Sequence, residues 1–164
     1  EMCIRDRRNY SNFGAALLGQ LLAKNAGTSY EDLLRTRIFE PAGMDSTFLA
    51  LPGTVEGHPQ GVTLAGRTAQ RWDMNGWAPA GAIRSTAHDM GKYVDWVAGH
   101  GGPELGWADL EEEDATYIFH NGGTGGYSTM LVWDPDSPTP RAAFVANSSA
   151  ASVDDLGVEL LTGV

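Results

Sequence analysis

Serine, tyrosine and histidine side chains can carry acyl or proton transfer when a base or a cation lies within hydrogen-bond reach. The richest chemical stretch of this chain is His120-Asn121-Gly122-Gly123-Thr124-Gly125-Gly126-Tyr127, an imidazole followed by a cluster of glycines. Glycines at strand level let another backbone or a ligand approach closely, and the same run also suits a Gly-rich hairpin turn. Far upstream, Tyr10-Ser11-Asn12 sets a phenol and an amide at the head of an apolar segment. A nucleophile is harder to find. There is no Gly-x-Ser-x-Gly elbow, and the nearest stretch, Gly126-Tyr127-Ser128-Thr129-Met130, ends in methionine. Nor is there a Ser-x-x-Lys pair: the lysines are Lys24 and Lys92, and three positions before them stand Leu21 and Asp89.

Other chemistries are thinner still. His58, His88, His100 and His120 have no His-x-x-x-His spacing, and the single cysteine is Cys3, so neither a metal nor a disulfide framework is expected. His58 and His100 lie among glycines and His88 at a helix start, which reads as solvated. The chain has 164 residues, 42% of them hydrophobic, enough for one domain with a sizeable core. A net charge of -10 with no basic run argues against nucleic acid and anionic membrane surfaces as partners. No apolar run nears the ~20 residues of a membrane span, and the charged N-terminus lacks the apolar core of a signal peptide. Residues 1–7 have no useful periodicity and read as a non-native leader, leaving 8–164 for the fold.

The elements that must position these groups are legible from periodicity. Asn12 to Ala26 is helical, with Phe13, Leu17 and Leu21 at four-residue spacing, Leu18 and Leu22 beside them, and Gly27 at the C-cap. Thr28-Ser29-Tyr30-Glu31 fits a capping box for a second helix, with Leu33, Leu34 and Ile38 as its stripe and Pro41 as its stop. Residues 49–82 are rich in Gly, Pro and Thr and read as a long surface excursion with one short hairpin. Ser85 to Asp89 opens a third helix carrying Met90, Tyr93, Val94 and Val97, which Gly99 to Gly102 ends. Leu110 to Asp114 reads as an acidic, solvated turn. Strands 116–120, 127–133 and 142–146 then form an antiparallel meander, closed by a helix from Val153 to Leu161. Helices, then strands, then a terminal helix predict an α+β fold.

Three stretches together resemble the serine β-lactamase and penicillin-binding family, on the side of class C β-lactamases, D-Ala-D-Ala carboxypeptidases and related esterases. Tyr10-Ser11-Asn12 is similar to its Tyr-x-Asn element, and His120-Asn121-Gly122 to its Lys-Thr-Gly element in the His-x-Gly form. Ile38-Phe39-Glu40-Pro41-Ala42-Gly43-Met44 with Thr47 resembles its structural Phe-x-Pro-Leu-Gly-Met-x-x-Thr stretch. Ala80-Gly81, Ser85-Thr86-Ala87-x-Asp89-Met90 and Val145-Ala146-Asn147 also fit, so the likeness runs over nearly all of 9–164. Two departures stand out. The family's Ser-x-x-Lys lies upstream of Tyr-x-Asn, so the chain reads as a C-terminal part, and the interval from Val97 to His120 is short for the family.

The resemblance implies an antiparallel sheet packed by helices, incomplete at the N-terminus, and a serine hydrolase working through an acyl-enzyme. It implies Tyr10 as base or proton shuttle, needing a nearby cation because a phenol's pKa is near ~10. Asn12 would hold a substrate amide. His120 would stand where the usual lysine faces the serine, as a weaker, pH-dependent cation. The Gly123 N–H would form half of an oxyanion hole, with Asn121 and Gly122 along the substrate strand. Thr124 suits either a substrate carboxylate or the hairpin itself. Substrates would be D-Ala-D-Ala peptides, β-lactams or short esters, without cofactor, metal or nucleic acid, in a periplasmic or extracellular setting. A non-catalytic binding or sensing protein on the same scaffold is the other function the residues allow.

Overall fold

The computed structural model describes residues 10–54, 59–72, 74–102, 106–112, 115–139 and 141–163. Residues 1–7 and His58 therefore lie outside the described residues. Helix α1 (Asn12–Ala26) begins at Ser11, whose hydroxyl accepts the Gly14 N–H, and ends at Gly27, where φ is 68°. The second cap sits one residue later than the sequence suggests: Ser29, not Thr28, caps α2 (Tyr30–Leu34) by accepting from Asp32 N–H. Pro41 does not stop that run. A π turn over Arg35–Phe39, with Glu40 N–H bonding to Arg35 O, leads into a last turn, α3 (Glu40–Ala42). Pro41 falls at the second residue of that turn, where a missing N–H costs little, and Gly43 at φ 70° ends it.

The excursion that follows is tied down rather than loose. Strand β1 (Phe48–Leu49) pairs antiparallel with β2 (Ile83–Arg84), closing its two ends together. Within it Ala50, Ala69, Ala78 and Ala82 are buried. Val62 bridges Thr68, as the expected short hairpin, and also Ser149 beyond the last strand. These segments enclose a first core of Leu34, Phe39, Met44, Leu49, Ala78 and Ala82.

Helix α4 (Ala87–Gly99) starts where Thr86 Oγ1 accepts the Asp89 N–H. Met90 and Tyr93 pack against both the first core and the sheet, so α4 joins the two. The sheet is a four-stranded antiparallel meander of β3 (Ala108–Glu111), β4 (Thr116–Gly123), β5 (Ser128–Asp134) and β6 (Arg141–Asn147). Strand β3 takes in Leu110 and Glu111 of the acidic turn expected at Leu110 to Asp114, and the Glu112 N–H donates to Ala115 O at 2.9 Å where the chain turns toward β4; charged side chains on an edge strand are how sheets discourage further pairing. Side chains alternate between faces. Ile118, Leu131, Trp133 and Phe144 meet α4, while Phe119, Met130, Val132 and Val145 meet α5 (Asp154–Thr162).

The helical period of α1 does not mark its buried face. The large residues of α1 do not point into a core: Phe13, Leu17, Leu18, Leu21 and Leu22 are exposed, and Ala16, Gly19 and Ala23 are the buried ones. A Cβ on Gly19 would lie 2.3 Å from Pro79 Cβ, so the small face is the one that lets the helix sit against the 3₁₀ turn at Ala78–Ala80.

Candidate active site

The register of β4 fixes what its glycines offer. The turn is closed by the Thr124 N–H donating to Tyr127 O at 2.9 Å, and the pairing then runs Gly123↔Ser128, Gly122↔Thr129, Asn121↔Met130, His120↔Leu131. Antiparallel ladders alternate between pairs that exchange hydrogen bonds and pairs that do not. Counting back from Thr124 and Tyr127, Gly122 and His120 bond to β5, whereas Gly123 and Asn121 turn their N–H and C=O to the opposite edge. On that edge β3 reaches only as far as Ala108↔Phe119. Among the described residues, the backbone from His120 to Gly123 therefore borders an open edge, to which the Gly123 N–H is turned.

The glycines divide by role. A Cβ at Gly126 would lie 2.5 Å from Ala69 Cβ and 3.0 Å from Gly61 Cα, so this residue is needed for packing of the turn on the excursion. At Gly122 and Gly123 the nearest atoms would be 3.3 Å (Thr129 Oγ1) and 4.0 Å (Tyr127 O) away, and both glycines are exposed. Thr124 serves the hairpin: its hydroxyl accepts from Gly126 N–H at 3.4 Å and Tyr127 N–H at 3.2 Å. Tyr127 is fixed by its own bond to Pro59 O and by the Arg84 guanidinium, 5.3 Å above its ring.

His120 lies on the sheet face that α4 covers further along, the face of Ile118 and Leu131. Its ring meets Tyr10 edge-on at 6.3 Å between centroids and 71° between planes. Tyr10 precedes the Ser11 cap, and its hydroxyl donates to Asn12 Oδ1 at 2.9 Å. So Tyr10, Asn12 and His120, 110 positions apart in the chain at the extremes, come together beside the open edge. They form an exposed surface, Tyr10 being 73% accessible, and not a closed cavity.

Asn121 is not brought into this group through its side chain. It faces the α5 side, where Nδ2 donates to Asp154 Oδ2 at 3.0 Å. What it presents to the open edge is backbone. A residue the sequence reading missed is Trp107, whose ring also meets His120 edge-on, at 6.3 Å and 80°. Once Ala108↔Phe119 is known, Trp107 is the next position opposite His120; reading β3 as a turn hid it. His100 is engaged elsewhere: its Nδ1 lies 2.7 Å from Trp96 O, and its ring packs on Trp96 at 4.4 Å.

The stretches that carry the resemblance also meet in space. Asp89, 1% exposed, accepts from Ser46 N–H and Thr47 Oγ1, each at 2.8 Å, and from Lys92 Nζ at 3.4 Å. Lys92 bonds Gly43 O as well. One carboxylate thus locks the 38–47 segment onto the start of α4.

The profile of the Beta-lactamase family matches residues 4–113. The chain belongs to the β-lactamase family of serine hydrolases. It is 32% identical over 125 residues to Beta-lactamase-like protein 2 of Dictyostelium discoideum, covering 74% of this chain and 23% of that protein. In structure it resembles a D-alanine carboxypeptidase from Burkholderia cenocepacia, with TM-score 0.76 and 20% identity over 96% of this chain and 61% of that one. It resembles a class C beta-lactamase with TM-score 0.77 and 19% identity, over 96% of this chain and 57% of that one. These likenesses carry the α+β β-lactamase fold. The chain spans 23% of the curated relative's length and a little over half of the solved chains.

Proposed function

We propose that these residues form one wall of an acyl-transfer cleft whose nucleophilic serine lies outside them. The observation that carries this reading is the meeting of Tyr10 and His120 beside the open edge of β4. The serine Oγ would attack the carbonyl of an amide, β-lactam or ester. Its proton would pass by way of the Tyr10 phenol to the departing amine or alcohol. The C–O bond to serine forms as the bond to the leaving group breaks, and water later reverses the roles to release the acid. The developing oxyanion would accept from the Gly123 N–H and from the serine's own N–H, one such donor being worth roughly 3–4 kcal/mol. Asn12 and the backbone of Asn121 and Gly122 would hold the substrate alongside.

Substrates of the D-Ala-D-Ala, β-lactam or short-ester type follow from the family, and the His-x-Gly form favours carboxypeptidase or esterase chemistry over efficient β-lactam hydrolysis. The 164 residues alone are expected to show no turnover and no penicilloyl adduct by intact mass; an adduct would reveal a nucleophile among them and defeat the reading. In a longer polypeptide carrying a Ser-x-x-Lys, Tyr10→Phe is expected to slow acylation by about 100-fold or more. Rates near those of the unsubstituted protein would assign Tyr10 a structural part only. A reading frame with no such serine would instead favour a binding protein.

A further inference from the structure

His120 is exposed, and among the described residues its ring has no hydrogen-bond or ion-pair partner. A side chain so placed turns among staggered rotamers, and holding one of them costs entropy that some contact must offset. The imidazole meets two rings, Tyr10 at 71° and Trp107 at 80°, each with its centroid 6.3 Å away. They are unequal supports. Tyr10 is 73% exposed, and its hydroxyl is bonded to Asn12 beside it in the chain. Trp107 is half-buried and packs against the cluster of Val94, Val97, Leu131 and Trp133. It continues the β3–β4 register past Ala108↔Phe119, so it faces His120 across the ladder. Just before it Gly106, at φ 85°, breaks the extended backbone, so Trp107 closes this end of the row.

We propose that Trp107 is a positioning residue: its indole, anchored in the core, holds the His120 ring in one orientation beside Tyr10 and leaves both imidazole nitrogens for polar groups in the cleft. What His120 then does rests on the acyl-transfer reading; the holding stands without it. Perpendicular rings attract because the positive edge of one lies on the negative face of the other. An aliphatic side chain at position 107 would fill the same place against the core and exert no such orienting pull, whereas a phenyl ring would keep it. Leu131, opposite His120 on β5, is aliphatic and gives the ring no such preference. With the imidazole held from the core, Tyr10 has a fixed partner to meet. Without it, two exposed side chains from distant parts of the chain would have to find each other.

The test is NMR of the 164-residue chain with isotope-labelled histidine rings, the His120 signals being assigned by their loss in His120→Gln. The unsubstituted chain is expected to show one χ1 rotamer for His120 and nuclear Overhauser contacts from its ring to both Trp107 and Tyr10. Several rotamers in exchange would overturn the proposal before any variant is made. Trp107→Leu is expected to average the χ1 couplings and to lose the contact with Tyr10, while Trp107→Phe keeps both. Circular dichroism shows whether each variant folds, and Trp107→Met replaces a leucine variant that does not. A folded aliphatic variant with unchanged couplings and contact would overturn the proposal, as would a phenylalanine variant in which His120 turns freely. In a longer polypeptide carrying a Ser-x-x-Lys, Trp107→Leu is expected to lower kcat/KM by about 10- to 100-fold. Once His120→Gln is present the same change should cost less than about twofold, because the loss runs through the imidazole. Equal losses in the two backgrounds would overturn the positioning role. No turnover by the unsubstituted longer polypeptide, with His120 held as described, would defeat the acyl-transfer reading alone; turnover with a freely turning His120 would defeat the positioning alone.

Discussion

At the scale of single residues, the buried carboxylate of Asp89 matters most to the fold. Burial by itself would push its pKa up, but the hydroxyl of Thr47, the Ser46 N–H and then Lys92 hold it below the usual carboxylate range. A carboxyl lowered in the folded state contributes stability above its unfolded pKa, near ~3.9, and loses it as pH falls through the folded value. Urea midpoints are therefore expected to be level above about pH 5 and to fall below about pH 4. Asp32, held low by the Ser29 hydroxyl and Arg35, adds to the same slope at the surface. Asp89→Asn should flatten the acid limb in part and lower the Tm at neutral pH by roughly 5–10 °C; an unchanged Tm would mean that the lock between 38–47 and α4 is incidental. Asn121→Ala, measured in an active longer polypeptide, should change kcat/KM by less than about threefold, since only an exposed bond to Asp154 is lost. The sequence marks Asp89 as part of a helix-start box, and that role holds. Its ties to Ser46 and Thr47 lie more than 40 residues away in the chain and leave no local signal.

Among the elements, position along the chain was readable and orientation was not. The bounds of α1, the cap at Gly27, the start of α4 and the three-stranded meander all follow from period and caps. The facing of α1 does not, because a helix with leucines on most of its arc gives periodicity no unique side to choose; the steric need for Gly19 against Pro79 decides it. Gly19→Ala tests that packing. Helix propensity would favour alanine by about 1 kcal/mol, but the added methyl would fall 2.3 Å from Pro79 and 3.0 Å from Tyr30. Overpacking of this sort costs typically 1–3 kcal/mol, so the net expectation is a lower urea midpoint, and a higher one would show that the turn at Ala78–Ala80 yields easily. Strand β3 was missed because its acidic residues resemble a solvated turn, and only its pairing with β4 distinguishes the two. With β3 went Trp107, the one aromatic at the site that the reading did not contain.

For the molecule as a whole, three packed clusters stand against one exposed apolar face on α1. Each large apolar side chain moved from water into a core contributes about 1.5–3 kcal/mol. The five on α1 are each about half exposed, so several kcal/mol of that contribution is left in water, a sizeable part of the stability of a typical domain. The chain by itself should bind a hydrophobic dye such as ANS strongly. Leu18→Gln with Leu22→Gln should reduce that binding several-fold while leaving the Tm within about 2 °C, since neither side chain supports a core here. A Tm drop of 10 °C would instead mean that these leucines are packed in solution.

The two-residue link between Thr124 and Tyr127 also sets a counting rule for the protein. Because strand neighbours alternate in direction, a slip of β4 by one residue against β5 would carry the imidazole to the α5 side and aim the odd-numbered amides into the ladder. Substitutions in Gly125 and Gly126 can be graded by their bulk, but a slip of register has no graded outcome: it exchanges inside for outside along the whole strand.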